Sequence, residues 1–205
     1  MNNNSFTSRR ISVVLISLLG IVISVVSAVW QSRQGSDISK EFFTVLPYGF
    51  LGASIAMIPI SWVLHPILHD TSNSMVDVVP HTGIGAALYM QWQNTFLPWY
   101  LTHSDESNAT ILYIAAYLVL ALSLWVISAS LFSMLTGIDR TKSAGAMLFV
   151  SIVLTLLYPV YYMATTQSVT LGLATLLAVL IFVFFVIIVS IVYALRMTKE
   201  INRAP

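Results

Sequence analysis

The sequence predicts an all-α fold, a multi-pass transmembrane helical bundle with six spans. Of its 205 residues 58% are hydrophobic and only 8% are charged, and the mean hydropathy is +0.87, far outside the range of soluble domains. The apolar residues form runs of about 20, the length at which a helix crosses the hydrocarbon core of a bilayer. The alternating pattern of a membrane β-barrel is not visible, so helices are the expected spanning elements.

Five apolar runs are predicted as spans from length and composition alone. They are residues 11–30, 42–64, 110–135, 143–164 and 169–195. The first run is longer than the apolar core of a signal peptide, which reaches about 15 residues, and is therefore expected to stay in the membrane. Because no low-complexity linker and no repeat of transporter type divides the sequence, residues 1–205 are expected to form a single integral membrane domain.

A sixth span, residues 83–101, has a weaker signal. It is interrupted by Gln91, Gln93, Asn94 and Pro98. The segment contains the aromatic residues Trp92, Trp99 and Tyr100. They suit the depth of the lipid headgroups, which fits an interfacial segment and the mouth of a packed helix equally well. The alternative to six spans is therefore five spans, with residues 83–101 lying in the interface or re-entering the membrane from one side.

Basic residues predict the orientation, because loops on the cytoplasmic side retain Lys and Arg. Arg196, Lys199 and Arg203 place the C-terminus in the cytoplasm, and Arg140 and Lys142 fit the same side two helices earlier. With six spans the N-terminus also lies in the cytoplasm, whereas with five it lies outside. We expect a multi-pass protein of the cell membrane with both termini in the cytoplasm.

The segment HPILHDTSNSMVDVVPH, residues 65–81, holds three of the four histidines of the chain. His65 and His69 are four residues apart, the spacing at which a continuous helix presents two metal ligands on one face. The candidate ligands for zinc or copper are His65, His69, Asp70, His81 and His103. Pro66 opposes this geometry, because proline favours the start of a helix and disfavours helical geometry in the residue before it. We therefore expect residues 65–82 to form a polar connection between two spans, and the metal site is the alternative.

Two further sets of residues are candidates for function or packing. Gln91, Gln93 and Asn94 are the densest polar group at membrane depth, and they predict either a polar path for a solute or hydrogen bonds between helices. Small residues at spacings of three and four predict a close-packing helix face, within the bundle or against another subunit. This face consists of Gly49, Gly52, Ala53 and Ala56.

Composition and motifs limit the classes of function. Nine basic residues against eight acidic ones are too few and too balanced for nucleic acid, so it is not an expected partner. The chain has no cysteine, which excludes disulfides, iron–sulfur clusters and thiol catalysis. No serine-centred elbow, Walker loop or HExxH motif stands in a usable context, so catalysis by the chain itself is not expected.

The function most consistent with these patterns is that of a subunit, anchor or scaffold of a membrane complex. Its expected partners are membrane lipids and either other membrane subunits or further copies of the chain. One alternative is a permease or channel component with a polar path near Gln91, Gln93 and Asn94. The other is a membrane oxidoreductase subunit that uses residues 65–81 for a metal ion, or that holds haem at a subunit interface.

Overall fold

The computed structural model of the chain describes residues 3–33, 35, 38–66, 69–106 and 108–201, and within these ranges it contains helices and no strand. In chain order the helices are α1 (Asn3–Ser32), α2 (Ile38–Leu64), α3 (His69–Gln91), a π-helical turn (Trp92–Phe96), α4 (Leu97–His103), α5 (Ala109–Thr136), α6 (Arg140–Thr166) and α7 (Val169–Ile201). The five residues Trp92–Phe96 are called the π-turn below.

Five helices are long and apolar enough to cross a membrane. Their candidate spans are Thr7–Ser32, Thr44–Val63, Ala109–Thr136, Lys142–Thr166 and Val169–Val192. The sixth crossing consists of α3, the π-turn and α4, which follow one another without a break over residues 69–103. At about 1.5 Å per residue this segment is on the order of 50 Å long, enough to cross the hydrocarbon core. The predicted six-span helical membrane bundle is confirmed.

The predicted polar connection over residues 65–82 is wrong for most of its length. Helix α2 ends at Leu64, and α3 already begins at His69. A backbone that enters a bilayer must bond its own polar groups, so a stretch with polar side chains still becomes helical there. Residues 83–101 are consequently the second part of one long helical segment, rather than a separate element lying in the interface.

The helices form two groups of three. In the first half, α1, α2 and α3 pack around a core that includes Ile16, Ala53 and Val78. In the second half, α5 packs against α6 and α7 around a core that includes Tyr117 and Phe182. Helix α3 contacts α5 as well as α1 and α2, and therefore lies between the two halves.

The predicted small-residue face of α2 packs against α1. Gly49 lies so close to α1 that a methyl group at its Cα would overlap the Gly20 carbonyl oxygen and the Ser24 hydroxyl. The Ser24 Oγ also donates to the Gly20 carbonyl at 2.8 Å and lies 3.4 Å from the carbonyl of Leu46 on α2. Ala53 is fully buried in the same half. The close approach is therefore made within the chain.

A polar contact joins the two halves at the end of the bundle where α1 begins. The guanidinium of Arg10 donates to the carbonyl of Thr136, the last residue of α5, over 3.2 Å. The last carbonyls of a helix have no partner within the helix, and they carry its negative dipole end. Arg10 of α1 therefore serves as a cap for α5. Gly137 follows with a left-handed backbone (φ 74°) and bonds through its N–H to the Ser133 carbonyl.

Candidate functional site

Helix α3 is the polar element between the two halves, and its side chains bond in both directions. Thr82 lies on the side of α2, where its hydroxyl is 2.8 Å from the hydroxyl of Ser54. Tyr89 lies on the side of α6 and donates to the Leu154 carbonyl at 2.9 Å. Because lipid offers no hydrogen bonds, such contacts hold neighbouring helices in register. Polar side chains of α3 thus connect the halves.

The π-turn interrupts this helix on the side of the bundle where α5 begins. The N–H of Leu97 donates to the carbonyl of Trp92, five residues earlier, as in a π-helix. Pro98 has no N–H, so the backbone carbonyl of Gln93 receives no π-type hydrogen bond. A π-turn inside an α-helix is rare, and such turns are frequent at functional sites. Of the three residues proposed for a polar path, Gln93 and Asn94 lie in this turn and Gln91 directly precedes it.

The structure separates Gln91, Gln93 and Asn94. Gln91 and Asn94 are exposed, and the Asn94 Nδ2 donates to the Tyr48 hydroxyl at 2.7 Å. Gln93 is only 4% exposed, and its Nε2 donates to the Thr44 carbonyl on α2 at 3.3 Å. A carbonyl can only accept, so this bond fixes the orientation of the amide and leaves Oε1 on the other side. Gln93 is therefore the only member of the three that faces the core.

Aromatic rings surround the π-turn. Trp92 packs on α5, with ring-centroid distances of 5.2 Å to Tyr113 and 5.8 Å to Tyr117, and Tyr100 of α4 lies 4.5 Å from Tyr113. These four rings are called the aromatic cluster below, and each is at most 2% exposed. α4 and the π-turn bring the rings of Trp92 and Tyr100 onto α5, and their location at headgroup depth stays a prediction. Trp99 stacks instead on His103.

The hydroxyls of the aromatic cluster are paired with threonines. The Tyr113 hydroxyl lies 2.7 Å from that of Thr175 on α7, and the Tyr117 hydroxyl lies 2.8 Å from that of Thr155 on α6. The Tyr100 hydroxyl is 3.3 Å from Thr110. A buried hydroxyl without a partner costs free energy, so these pairs stabilise α5 against both of its neighbours.

Two buried side-chain atoms of the described residues have no hydrogen-bond partner, and they belong to consecutive residues. They are the indole Nε1 of Trp92 and the amide Oε1 of Gln93. The first can only donate and the second can only accept. Native proteins leave few buried polar atoms unpaired, so each such atom requires an explanation. The π-turn is therefore the strongest candidate site in the described part of the chain.

The predicted metal ligands do not share one location. His65 lies in the turn after α2, whereas His69 and Asp70 begin α3, so the two histidines do not belong to one continuous helix. His81 follows His69 by twelve residues, about 18 Å along the helix, and His103 lies at the other end of the segment, on the order of 50 Å away. The side chains of His69 and Asp70 lie outside the described part of the structure.

His81 and His103 already bond through their ring nitrogens. The Nδ1 of His81 lies 2.9 Å from the Asp77 carbonyl and must donate to it, and Nε2 lies 3.2 Å from the Ser130 hydroxyl. The Nδ1 of His103 lies 2.9 Å from the Trp99 carbonyl. Among the described residues no three His, Asp or Glu side chains are grouped to hold a metal ion. The zinc or copper site, and haem at a subunit interface, stay predictions.

Several residues of the site were not predicted from the sequence. Tyr89, Tyr113, Tyr117 and Tyr158 all lie near the π-turn. A signal was present for two of them, because Tyr113 and Tyr117 are four residues apart and share one face of a helix otherwise rich in aliphatic residues. Which helix this face would meet does not follow from spacing alone.

Comparison of the chain with protein-family models, with curated proteins and with solved structures finds no match.

Proposed function

We propose that the chain is a non-catalytic integral membrane subunit, an anchor or scaffold for a membrane complex. The observation that supports this function is the way the polar side chains of α3 are used: Thr82, His81 and Tyr89 bond to α2, α5 and α6 respectively. Hydrogen bonds of this kind hold helices in a fixed arrangement, as a scaffold requires.

The charge distribution supports the same function. The charged residues within the five apolar spans are Arg9, Arg10 and Lys142, and each lies near one end of its span. A carrier driven by ions or protons usually places ionisable groups near the middle of the membrane, where they bind and release its coupling ion. These five spans are suited to contact with lipid and with other helices.

The outer surface offers room for partners. Helix α7 exposes large apolar side chains along much of its length, including Leu173, Leu180 and Phe184, each more than half exposed. In a membrane this surface contacts lipid acyl chains, another membrane subunit or a second copy of the chain. We place the protein in the cell membrane with both termini in the cytoplasm, because Arg9, Arg10 and the basic residues of the C-terminal segment then lie on the inner side.

The test is the mass and the transport activity of the protein extracted in lipid nanodiscs. The proposal expects a particle whose protein mass exceeds the 22.6 kDa of one chain and proteoliposomes that are no more permeable to glycerol and urea than empty ones. A particle containing one chain and no partner, together with a solute flux that depends on the protein, would falsify the proposal.

A solute path is the second candidate, and one observation favours it: the buried Gln93 amide oxygen without a partner. A water-filled path would solvate such an atom. Because the chain has no cysteine, single cysteines across residues 83–101 can be tested with a membrane-impermeant thiol reagent without background. Labelling at positions along one face of the helix would favour the path, and labelling restricted to the two ends would exclude it.

A further inference from the structure

Trp30 and Trp62 are exposed at the ends of two neighbouring helices. Trp30 lies two residues before the end of α1 and is 67% exposed, and Trp62 lies two residues before the end of α2 and is 77% exposed. The other three tryptophans of the chain are buried or half-buried. An indole joins an apolar ring to one N–H donor, so an exposed tryptophan suits the boundary between an apolar and a polar medium.

Contacts between α1 and α2 fix the register of the two helices. Gly49 of α2 lies against the Gly20 carbonyl oxygen and the Ser24 side chain of α1. The Ser24 hydroxyl also lies 3.4 Å from the carbonyl of Leu46. The contacts advance along α1 as they go back along α2, so the helices are antiparallel, and Gly49 lies level with residues 20–24 of α1.

This register sets the distance between the two exposed tryptophans. Trp30 stands six to ten residues beyond the turn at residues 20–24, about 9–15 Å at the helical rise. Trp62 stands thirteen residues beyond Gly49 in the opposite direction, about 20 Å. The two residues are therefore about 30–35 Å apart along the helices. The hydrocarbon core of a bilayer is about 30 Å thick, and the polar headgroups lie directly outside it.

Arginines bound the apolar part of α1 at similar levels. Arg10 and Arg33 are separated by residues 11–32, which contain no charged residue, and they are about 35 Å apart along the helix. Arg10 stands about 15–21 Å before the turn at residues 20–24, which is the level of Trp62. Arg33 lies just beyond Trp30. At each end of this helix pair, an arginine and an exposed tryptophan thus mark the edge of an apolar band.

We propose that Trp30 and Trp62 anchor the chain in the headgroup regions of opposite leaflets, with lipid as the partner of both rings. Headgroups and interfacial water offer acceptors to the indole N–H groups. The side of a neighbouring helix offers few, because its backbone carbonyls are bonded within the helix. The inference rests on the membrane location of the proposed function, and in the proposed orientation Trp62 lies in the inner leaflet and Trp30 in the outer one. The two anchors hold the bundle at one depth.

The experiment follows the fluorine signals of protein labelled with 5-fluorotryptophan in nanodiscs in which a small fraction of the lipid carries a nitroxide. The nitroxide stands either on the acyl chain beside the headgroup or at the end of the chain, in the middle of the bilayer. Trp30→Phe and Trp62→Phe assign the two signals by their disappearance, and Trp30→Tyr and Trp62→Tyr repeat the assignment if a phenylalanine variant does not fold.

We expect the signals of Trp30 and Trp62 to broaden several-fold more with the nitroxide beside the headgroup than with the nitroxide at the chain end. Trp92, which is 2% exposed, is the internal control. Its signal, assigned by Trp92→Phe, is expected to broaden less than either of the other two with the nitroxide beside the headgroup, because protein separates its ring from lipid.

Two results would overturn the proposal. Stronger broadening of either signal by the nitroxide at the chain end would place that ring near the middle of the bilayer. A signal that neither nitroxide broadens would show that a second copy of the chain or another subunit covers the ring in place of lipid. The test depends neither on the number of chains in the particle nor on solute flux, so its outcome is separate from that of the scaffold proposal.

Discussion

The hydroxyl of Tyr117 on α5 lies 2.8 Å from the hydroxyl of Thr155 on α6, and both residues are fully buried. Thr155 also bonds to carbonyls of its own helix, those of Ser151 and Ile152, each at 3.0 Å. The tyrosine hydroxyl has no equivalent local partner, so it depends on Thr155. The pair is a contact between two helices, made at the level of the π-turn.

Tyr117→Phe tests this contact. The substitution removes the hydroxyl and keeps the ring, so we expect the free energy of unfolding to fall by about 0.5–1 kcal/mol, the usual value of a hydrogen bond between membrane helices. Tyr161→Phe is the control, because the Tyr161 ring is 41% exposed and packs on Tyr162. Unfolding by SDS in mixed micelles, followed by circular dichroism, measures both variants. Equal losses would show that the buried pair contributes nothing specific.

Gly49→Ala is expected to destabilise the first half of the bundle strongly. The added methyl group would overlap the Gly20 carbonyl oxygen, and backbone cannot rotate away as a side chain can. We expect a loss of about 1–3 kcal/mol, typical of overpacking, in the same SDS titration. Gly145→Ala is the matched control, since a methyl group there has nothing within 4 Å and alanine favours the helix. The prediction is contradicted if the two variants unfold alike.

The sides of the membrane can be assigned with single cysteines in the cysteine-free chain. Asn73 lies near the beginning of α3, and Asn108 directly precedes α5. Because residues 69–103 cross the bundle once, we expect Asn73→Cys and Asn108→Cys to react from opposite sides, with Asn108→Cys accessible to an impermeant maleimide in intact cells. Reaction of both cysteines from one side would rule out the sixth crossing.

The metal content of histidine variants is expected to distinguish His65 and His69 from His81 and His103. His81 and His103 bond through ring nitrogens within their own surroundings and stand far from the start of α3. Any zinc or copper retained by the purified protein should therefore fall in His65→Ala or His69→Ala and persist in His81→Ala or His103→Ala. Elemental analysis after dialysis measures this, and a loss of metal in His81→Ala would show that α3 bends to bring these residues together.

The five apolar spans could be predicted because their residues face lipid on most sides, so composition alone reveals them. Helix α3 could not be recognised in the same way. Two of its polar side chains bond to neighbouring helices, Thr82 to α2 and His81 to α5, and hydropathy depends on the residue type and not on such partners. The predicted connection over residues 65–82 was wrong for this reason.

The candidate site was predicted only in part. Gln93 stood out as polar within an apolar segment, but Gln91 and Asn94 looked equivalent to it, because burial depends on which face of the helix meets α2 and α6. Trp92 resembled an interfacial residue, since tryptophan is common at headgroup depth. Neither the π-turn nor the pairing of the tyrosines with threonines follows from local sequence, because both depend on contacts between helices distant in the chain.

The π-turn has a further consequence for the length of the chain. Each residue of an α-helix turns the helix by about 100°, so the π-turn fixes the angular phase of α4 relative to α3. Leu97 and Tyr100 are now fully buried. Regular α-helical pairing through residues 92–96 with no residue removed would rotate both of them away from α5, because a π-turn contains one residue more than the α-helical turn in its place. The π-turn thus accommodates one extra residue while the following turns of the helix keep their contact with α5.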